Sequence, residues 1–175
     1  MHVALGRKGD YAVRAMLDLA RHHGRGRRKA REIASEMDIP VRYLPQILAI
    51  LVRQRLLAAV AGREGGYALA RAPQSISLLD VVEAAEGPIA LDECVLRGGP
   101  CDWTNACPLH ATWSRAQSAL IDELRTTTFA ELARIDAEIE KGDYELPAEA
   151  PPHPTPAPRG GVRSSGNAEP GGDNT

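Results

Sequence analysis

Ala12, Met16, Leu19 and Ala20 recur at helical spacing and predict a first helix over about Lys8–His22. Gly24–Lys29, read GRGRRK, follows as a basic loop punctuated by glycine. Ile33, Ala34 and Met37 then share one side of a short helix, and Asp38-Ile39-Pro40 makes a turn. Leu44, Ile47, Leu48 and Leu51 form the apolar stripe of a further helix over about Val41–Gln54. Two short helices joined by a tight turn are the helix-turn-helix pattern, and the second is the recognition helix. Its early polar residues Arg42, Tyr43 and Gln46 lie off the apolar stripe, where base edges or phosphates are within reach. Pro45 is tolerable early in that helix because a first turn has no intrahelical donor to lose.

Leu57–Val60 and Tyr67–Ala70 read as two short strands around the Gly-rich loop Ala61-Gly62-Arg63-Glu64-Gly65-Gly66. A hairpin directly after a helix-turn-helix is a wing. The loop lacks the Lys-Ser/Thr signature and no helix follows it, so a nucleotide-binding P-loop is excluded. Ser77 is placed to cap a helix reaching Glu86, and Gly87-Pro88 ends it. A long helix is expected over about Leu109–Leu124. Its apolar positions Trp113, Ala116, Leu120 and Leu124 step by 3, 4 and 4 on an otherwise polar surface, a stripe suited to pairing with a second copy. Thr128-Phe129-Ala130-Glu131 reads as a capping box opening a last helix to about Glu140.

The predicted fold is mainly α with a small β-wing: a winged helix-turn-helix head followed by a long dimerisation helix. The head is expected over residues 1–72, a thiol-bearing loop and the dimerisation helices over 73–146, and a disordered tail over 147–175. In that tail 12 of 29 residues are Pro or Gly and almost nothing is left to bury. No internal repeat is present.

Charge sharpens this division. Residues 1–71 carry 14 Lys and Arg against 6 Asp and Glu, and residues 72–175 carry 7 against 17. A basic head on an acidic body suits a nucleic-acid partner. Arg27, Arg28 and Lys29 of the basic loop and Arg63 of the wing are the candidate phosphate contacts. No apolar run is long enough for a membrane-spanning helix, and Met1–Gly9 has no apolar leader core, so a cytoplasmic location is expected.

All three cysteines fall in one short segment with a histidine behind them: Cys94-x6-Cys101-x5-Cys107-x2-His110. Reduced thiols at such density bind metal or do chemistry more often than they form structural disulfides. Structural zinc sites favour ligand pairs two to four residues apart, and the wider intervals here suit a larger object such as an iron–sulfur cluster. Zinc and a bare thiol switch remain open on spacing alone. A thiol oxidoreductase needs a close cysteine pair and leaves the basic head unexplained, so no enzyme is expected.

Three segments together resemble the family of bacterial iron–sulfur winged-helix regulators that contains IscR and NsrR. They are Lys8-Gly9-Asp10-Tyr11-Ala12-Val13-Arg14-Ala15-Met16-Leu17, Gly65-Gly66-Tyr67-Ala68-Leu69-Ala70, and the cysteines followed by His110-Ala111-Thr112-Trp113. The resemblance covers about residues 5–140. It implies a homodimer on a palindromic operator in double-stranded DNA, paired through the long helix, with an iron–sulfur cluster on Cys94, Cys101 and Cys107. In IscR-like members a histidine at the position of His110 completes a [2Fe–2S] cluster, the favoured form here. In some NsrR-like members, which sense nitric oxide, an aspartate at the position of Asp10 completes a [4Fe–4S] cluster from the other subunit. The chain departs from the IscR-like pattern in a first cysteine interval one residue longer, and in Ala61 where many members have arginine before the wing glycine.

Overall fold

The computed structural model describes residues 5–89 and 107–145. The order of elements is α1 (Arg7–Arg21), α2 (Ala30–Glu36), α3 (Leu44–Arg53), β1 (Leu57–Val60), β2 (Gly66–Leu69), a 3-10 turn at Pro73–Ser75, α4 (Leu78–Glu86), α5 (His110–Thr126) and α6 (Phe129–Lys141). Among the described residues, six α-helices and one two-stranded antiparallel hairpin make the mainly helical winged helix-turn-helix that the pattern predicts. The expected tail lies outside the described residues, as does most of the cysteine segment.

One boundary needs correction. The recognition helix begins at Leu44 rather than Val41, and Val41-Arg42-Tyr43 forms a turn closed by the Tyr43 N–H on the Pro40 carbonyl at 2.9 Å. A helix running from Val41 would drive the Pro45 ring into the Val41 carbonyl four residues back. Starting at Leu44 places Pro45 in the first turn, where that clash does not arise. Arg42 and Tyr43 therefore stand just ahead of the helix.

The caps follow the sequence more closely. Ser77 Oγ accepts the Asp80 N–H at 3.1 Å, and Asp80 returns the favour by accepting the Ser77 N–H at 3.0 Å. Thr128 Oγ1 accepts the Glu131 N–H at 3.3 Å and opens α6. Two further bonds bind these helix starts together: Leu78 N–H to the Thr127 carbonyl at 2.8 Å, and Phe129 N–H to the Ile76 carbonyl at 3.0 Å.

The core is built around α1, which packs on α3, α4, α6 and the hairpin. Its buried face of Ala12, Ala15, Met16 and Leu19 meets Ile33 of α2, the Leu44–Leu51 stripe of α3, Val81 of α4 and Phe129 of α6 in one cluster. Each large apolar side chain so enclosed contributes about 1.5–3 kcal/mol. The helix α5 stands apart from this pattern. It packs on α4, and Ile121 is its one buried residue.

Among the described residues a single charged side chain is buried. Asp18 of α1 is fully buried and receives both prongs of Arg28, Nε at 3.1 Å and Nη2 at 2.9 Å. The bond to Asp18 holds the guanidinium charged, raising its pKa against the opposing effect of burial. The Arg28 backbone pairs with Tyr67 on the wing, N–H to carbonyl at 2.9 Å and the reverse at 2.8 Å. Gly66 makes this approach possible, since a Cβ there would lie 2.6 Å from the Arg28 carbonyl oxygen and its φ is +144°. Arg28→Ala should therefore destabilise the fold by about 3 kcal/mol in urea unfolding, because it strands a buried carboxylate. Converting the pair together, Asp18→Leu with Arg28→Met, should return most of that loss.

Candidate functional site

The recognition helix presents Gln46 to solvent, and Arg42 is exposed just before it. Tyr43 is half-buried and engaged. Its ring stacks on Tyr11 of α1 with centroids 6.0 Å apart, and the Arg42 guanidinium lies 4.8 Å above the Tyr43 ring. The stack fixes Arg42 at the mouth of the helix at a cation–π distance. Arg42, Tyr43 and Gln46 are thus gathered on one surface, as the sequence pattern predicts, although the first two reach it from the turn.

The wing hairpin pairs Leu57 with Leu69 through Val60 with Gly66. Its loop turns through Gly62, φ +105°, with the Gly65 N–H on the Gly62 carbonyl at 3.0 Å. A Cβ at Gly65 would lie 2.2 Å from the Val60 carbonyl oxygen, so no other residue fits this crossing. Arg63 stands exposed at the tip. The Arg28–Tyr67 bridge lays the basic loop along β2, which brings exposed Arg27 and Lys29 to the flank of the same hairpin. Arg28 itself is withdrawn from the expected phosphate-contacting set. Its charge is spent on Asp18, and its part is to hold the loop against the wing.

The first turn of α1, which carries Asp10, adjoins the recognition helix. Arg7, Lys8 and Tyr11 line an open cavity of about 190 Å³ with Tyr43, Gln46 and Ile50. The helix has no capping side chain at Gly6. Glu86, the last residue of α4, supplies the missing acceptor, taking the Gly9 N–H at 2.7 Å. A Cβ at Gly6 or Gly9 would come within 2.7 or 2.8 Å of a Glu86 carboxylate oxygen. A glycine three residues into a helix is costly, and that cost was the available signal of a close approach.

Cys107 is a free, half-buried thiol, and His110 three residues on is the first residue of α5, its N–H on the Cys107 carbonyl at 3.2 Å. Cys94 and Cys101 lie outside the described residues. Asp10 sits in the first turn of α1 and pairs with Arg14 at 2.9 Å, both half exposed. Among the described residues no group of three or more His, Cys, Asp or Glu converges, so Asp10 does not join Cys107 and His110 within one chain. Among the same residues no helix is long and apolar enough to cross a membrane.

Comparison with known proteins follows the same lines. Residues 5–135 match the model of the Rrf2 family, described as iron-dependent transcriptional regulators. The HTH-type transcriptional regulator IscR of Sodalis glossinidius is 34% identical over 125 residues, covering 71% of this chain and 75% of the relative. IscR of Citrobacter koseri is 31% identical over 144 residues, covering 82% and 88%. Among solved structures, IscR of T. potens matches with a TM-score of 0.62 at 30% identity, over 81% of this chain and 93% of that one. CymR, the global cysteine regulator of B. subtilis, matches with a TM-score of 0.64 at 27% identity, over 76% and 98%. These relatives are regulators rather than enzymes, in keeping with the absence of catalytic spacing in the sequence. A winged helix-turn-helix with basic flanks, matched over most of its length by one family, makes this chain a member of the Rrf2 family of DNA-binding transcriptional regulators.

Proposed function

We propose that the protein is a homodimeric, operator-binding regulator whose grip on DNA is set by an iron–sulfur cluster on Cys94, Cys101, Cys107 and His110. The observation that carries this reading is the chain entry into α5, where the His110 N–H on the Cys107 carbonyl at 3.2 Å holds the residues bearing a free thiol and an imidazole in one turn. Three thiols and an imidazole form a soft donor set suited to a [2Fe–2S] cluster. His110 is preferred to Asp10 because the Asp10 carboxylate is already paired with Arg14, whereas His110 carries no ion pair among the described residues. When bound, such a cluster supplies a centre that responds to redox state, cluster supply or nitric oxide.

The chain's own residues do the rest. On α5, Leu120 is 41% exposed, Ala116 is exposed, and Trp113 and Leu124 are half-buried, so an apolar stripe stands open for the same stripe of a second copy. A dimer then presents two recognition helices about 34 Å apart, one DNA turn, to the halves of a palindrome. Arg42, Tyr43 and Gln46 face the bases, and Arg27, Lys29 and Arg63 face the phosphates. Small rotations at the α5 seam change the spacing of the two heads, and a coupling of about 1–3 kcal/mol is sufficient for regulation. The functional division is a DNA-reading head over residues 1–72, a cluster and dimer region over 73–146 and a tail over 147–175, working on chromosomal DNA in the cytoplasm. A cluster-free thiol switch is the second reading, supported by the free, half-buried thiol of Cys107.

Protein purified without oxygen should be brown and contain iron and acid-labile sulfide. His110→Ala should alter its visible spectrum while Asp10→Ala leaves it intact, and the reverse pattern would assign the NsrR-like ligand set. A colourless preparation that binds its operator with undiminished strength would favour the thiol switch. Leu120→Glu should convert the dimer to monomer in sedimentation velocity and weaken palindrome binding by about 100-fold or more. Arg63→Ala should weaken all DNA sequences alike and lower the salt slope by about 0.9.

A further inference from the structure

We infer that the first turn of α1 is a second DNA-backbone contact beside the recognition helix, made by Arg7 and Lys8 and held in position by Glu86. This rests on the DNA-binding reading and extends it to a surface that neither the helix-turn-helix pattern nor the wing includes. Most arginines near the core are consumed by carboxylates: Arg14 by Asp10, Arg21 by Asp136 and Glu140, Arg28 by Asp18, and Arg71 by Asp80. Arg7 and Lys8 are exposed and meet no carboxylate among the described residues. They share a cavity wall with Tyr43 and Gln46, the residues that face the bases. Two free cations at the edge of a base-reading surface are complementary to the phosphates that flank the bases being read.

The turn that carries them is rigidly placed. Glu86 takes the Gly9 N–H at 2.7 Å, and Gly6 and Gly9 leave room for its carboxylate. The Tyr11–Tyr43 stack ties the same turn to the start of the recognition helix. Glu86 is a positioning residue, and this gives it an unusual signature. Removing a carboxylate near DNA should strengthen binding by charge alone, whereas removing an anchor should weaken it.

Phosphate contacts ignore sequence, so the test needs no operator. The full-length protein is titrated with a fluorescent random-sequence DNA duplex over a range of salt. Arg7→Ala and Lys8→Ala should each weaken binding several-fold and lower the slope of log K against log salt by about 0.9. Lys141→Ala removes an exposed cation at the end of α6, which packs on α1, and Arg21 at the far end of α1 pairs with Glu140 beside it. It should leave the slope unchanged. Glu86→Ala should weaken binding and Glu86→Gln, which keeps an acceptor for Gly9, should not. Gly9→Ala displaces the Glu86 carboxylate while keeping its charge, and should weaken binding as Glu86→Ala does, with no loss in thermal stability. Unchanged slopes in Arg7→Ala and Lys8→Ala would overturn the contact, and tighter binding by Glu86→Ala would overturn the anchoring. Wild-type protein that binds no duplex at all would instead bring down the DNA-binding reading itself.

Discussion

The bond between Asp18 and Arg28 is the constraint on which the DNA-facing half depends. A carboxylate with no solvent access is tolerable only if a cation and further donors satisfy it, and Arg28 brings both prongs of its guanidinium. Because the Arg28 backbone also pairs with Tyr67, one residue joins the central helix, the basic loop and the wing. The loop GRGRRK thus owes its position to the one arginine that faces inward. Arg27 and Lys29 stay outside because their neighbour is fixed. A run of cations that looks uniform in sequence divides into one anchor, Arg28, and three exposed charges, Arg25, Arg27 and Lys29.

The same economy governs α1 as a whole. Its apolar face is shared by α3, α4, α6 and the hairpin, so it joins the recognition helix to the C-terminal helices alongside the direct packing of α3 on α4. Its first turn lacks a cap of its own and takes one from the end of α4, at the point where the chain leaves for the cysteine segment. The glycine-bearing motif at the start of the chain thus has a packing reason. Gly6 and Gly9 admit the Glu86 carboxylate where a Cβ would evict it.

The outer helix α5 follows a different rule. A helix with one buried residue, a moderately polar surface and a row of apolar side chains left in solvent gains little from its own domain. Such a face is a stability cost in a monomer and a source of affinity between copies. Trp113 and Leu124 at its ends are partly covered, and Ala116 and Leu120 between them are open.

Local rules were enough for much of this. Apolar spacing located α1, α2, α3 and α5, because the period of an apolar stripe survives in the sequence, while the Gly-rich loop marked the two strands on either side of it. Ser77 and Thr128 announced their helix starts, since a cap is an interaction between residues three apart. What tertiary structure decided lies between residues far apart in the chain: Asp18 with Arg28 and Tyr67, Glu86 with Gly9, Tyr11 with Tyr43. No periodicity encodes these pairings, because each depends on where two separately formed elements come to rest. Pro45 sets the start of the recognition helix at Leu44, because a helix begun at Val41 would bring its ring against the carbonyl four residues back. The sequence therefore determined which elements form and which residues carry charge and sulfur. Only packing determined which of those charges are spent inside the fold and which remain free to meet DNA.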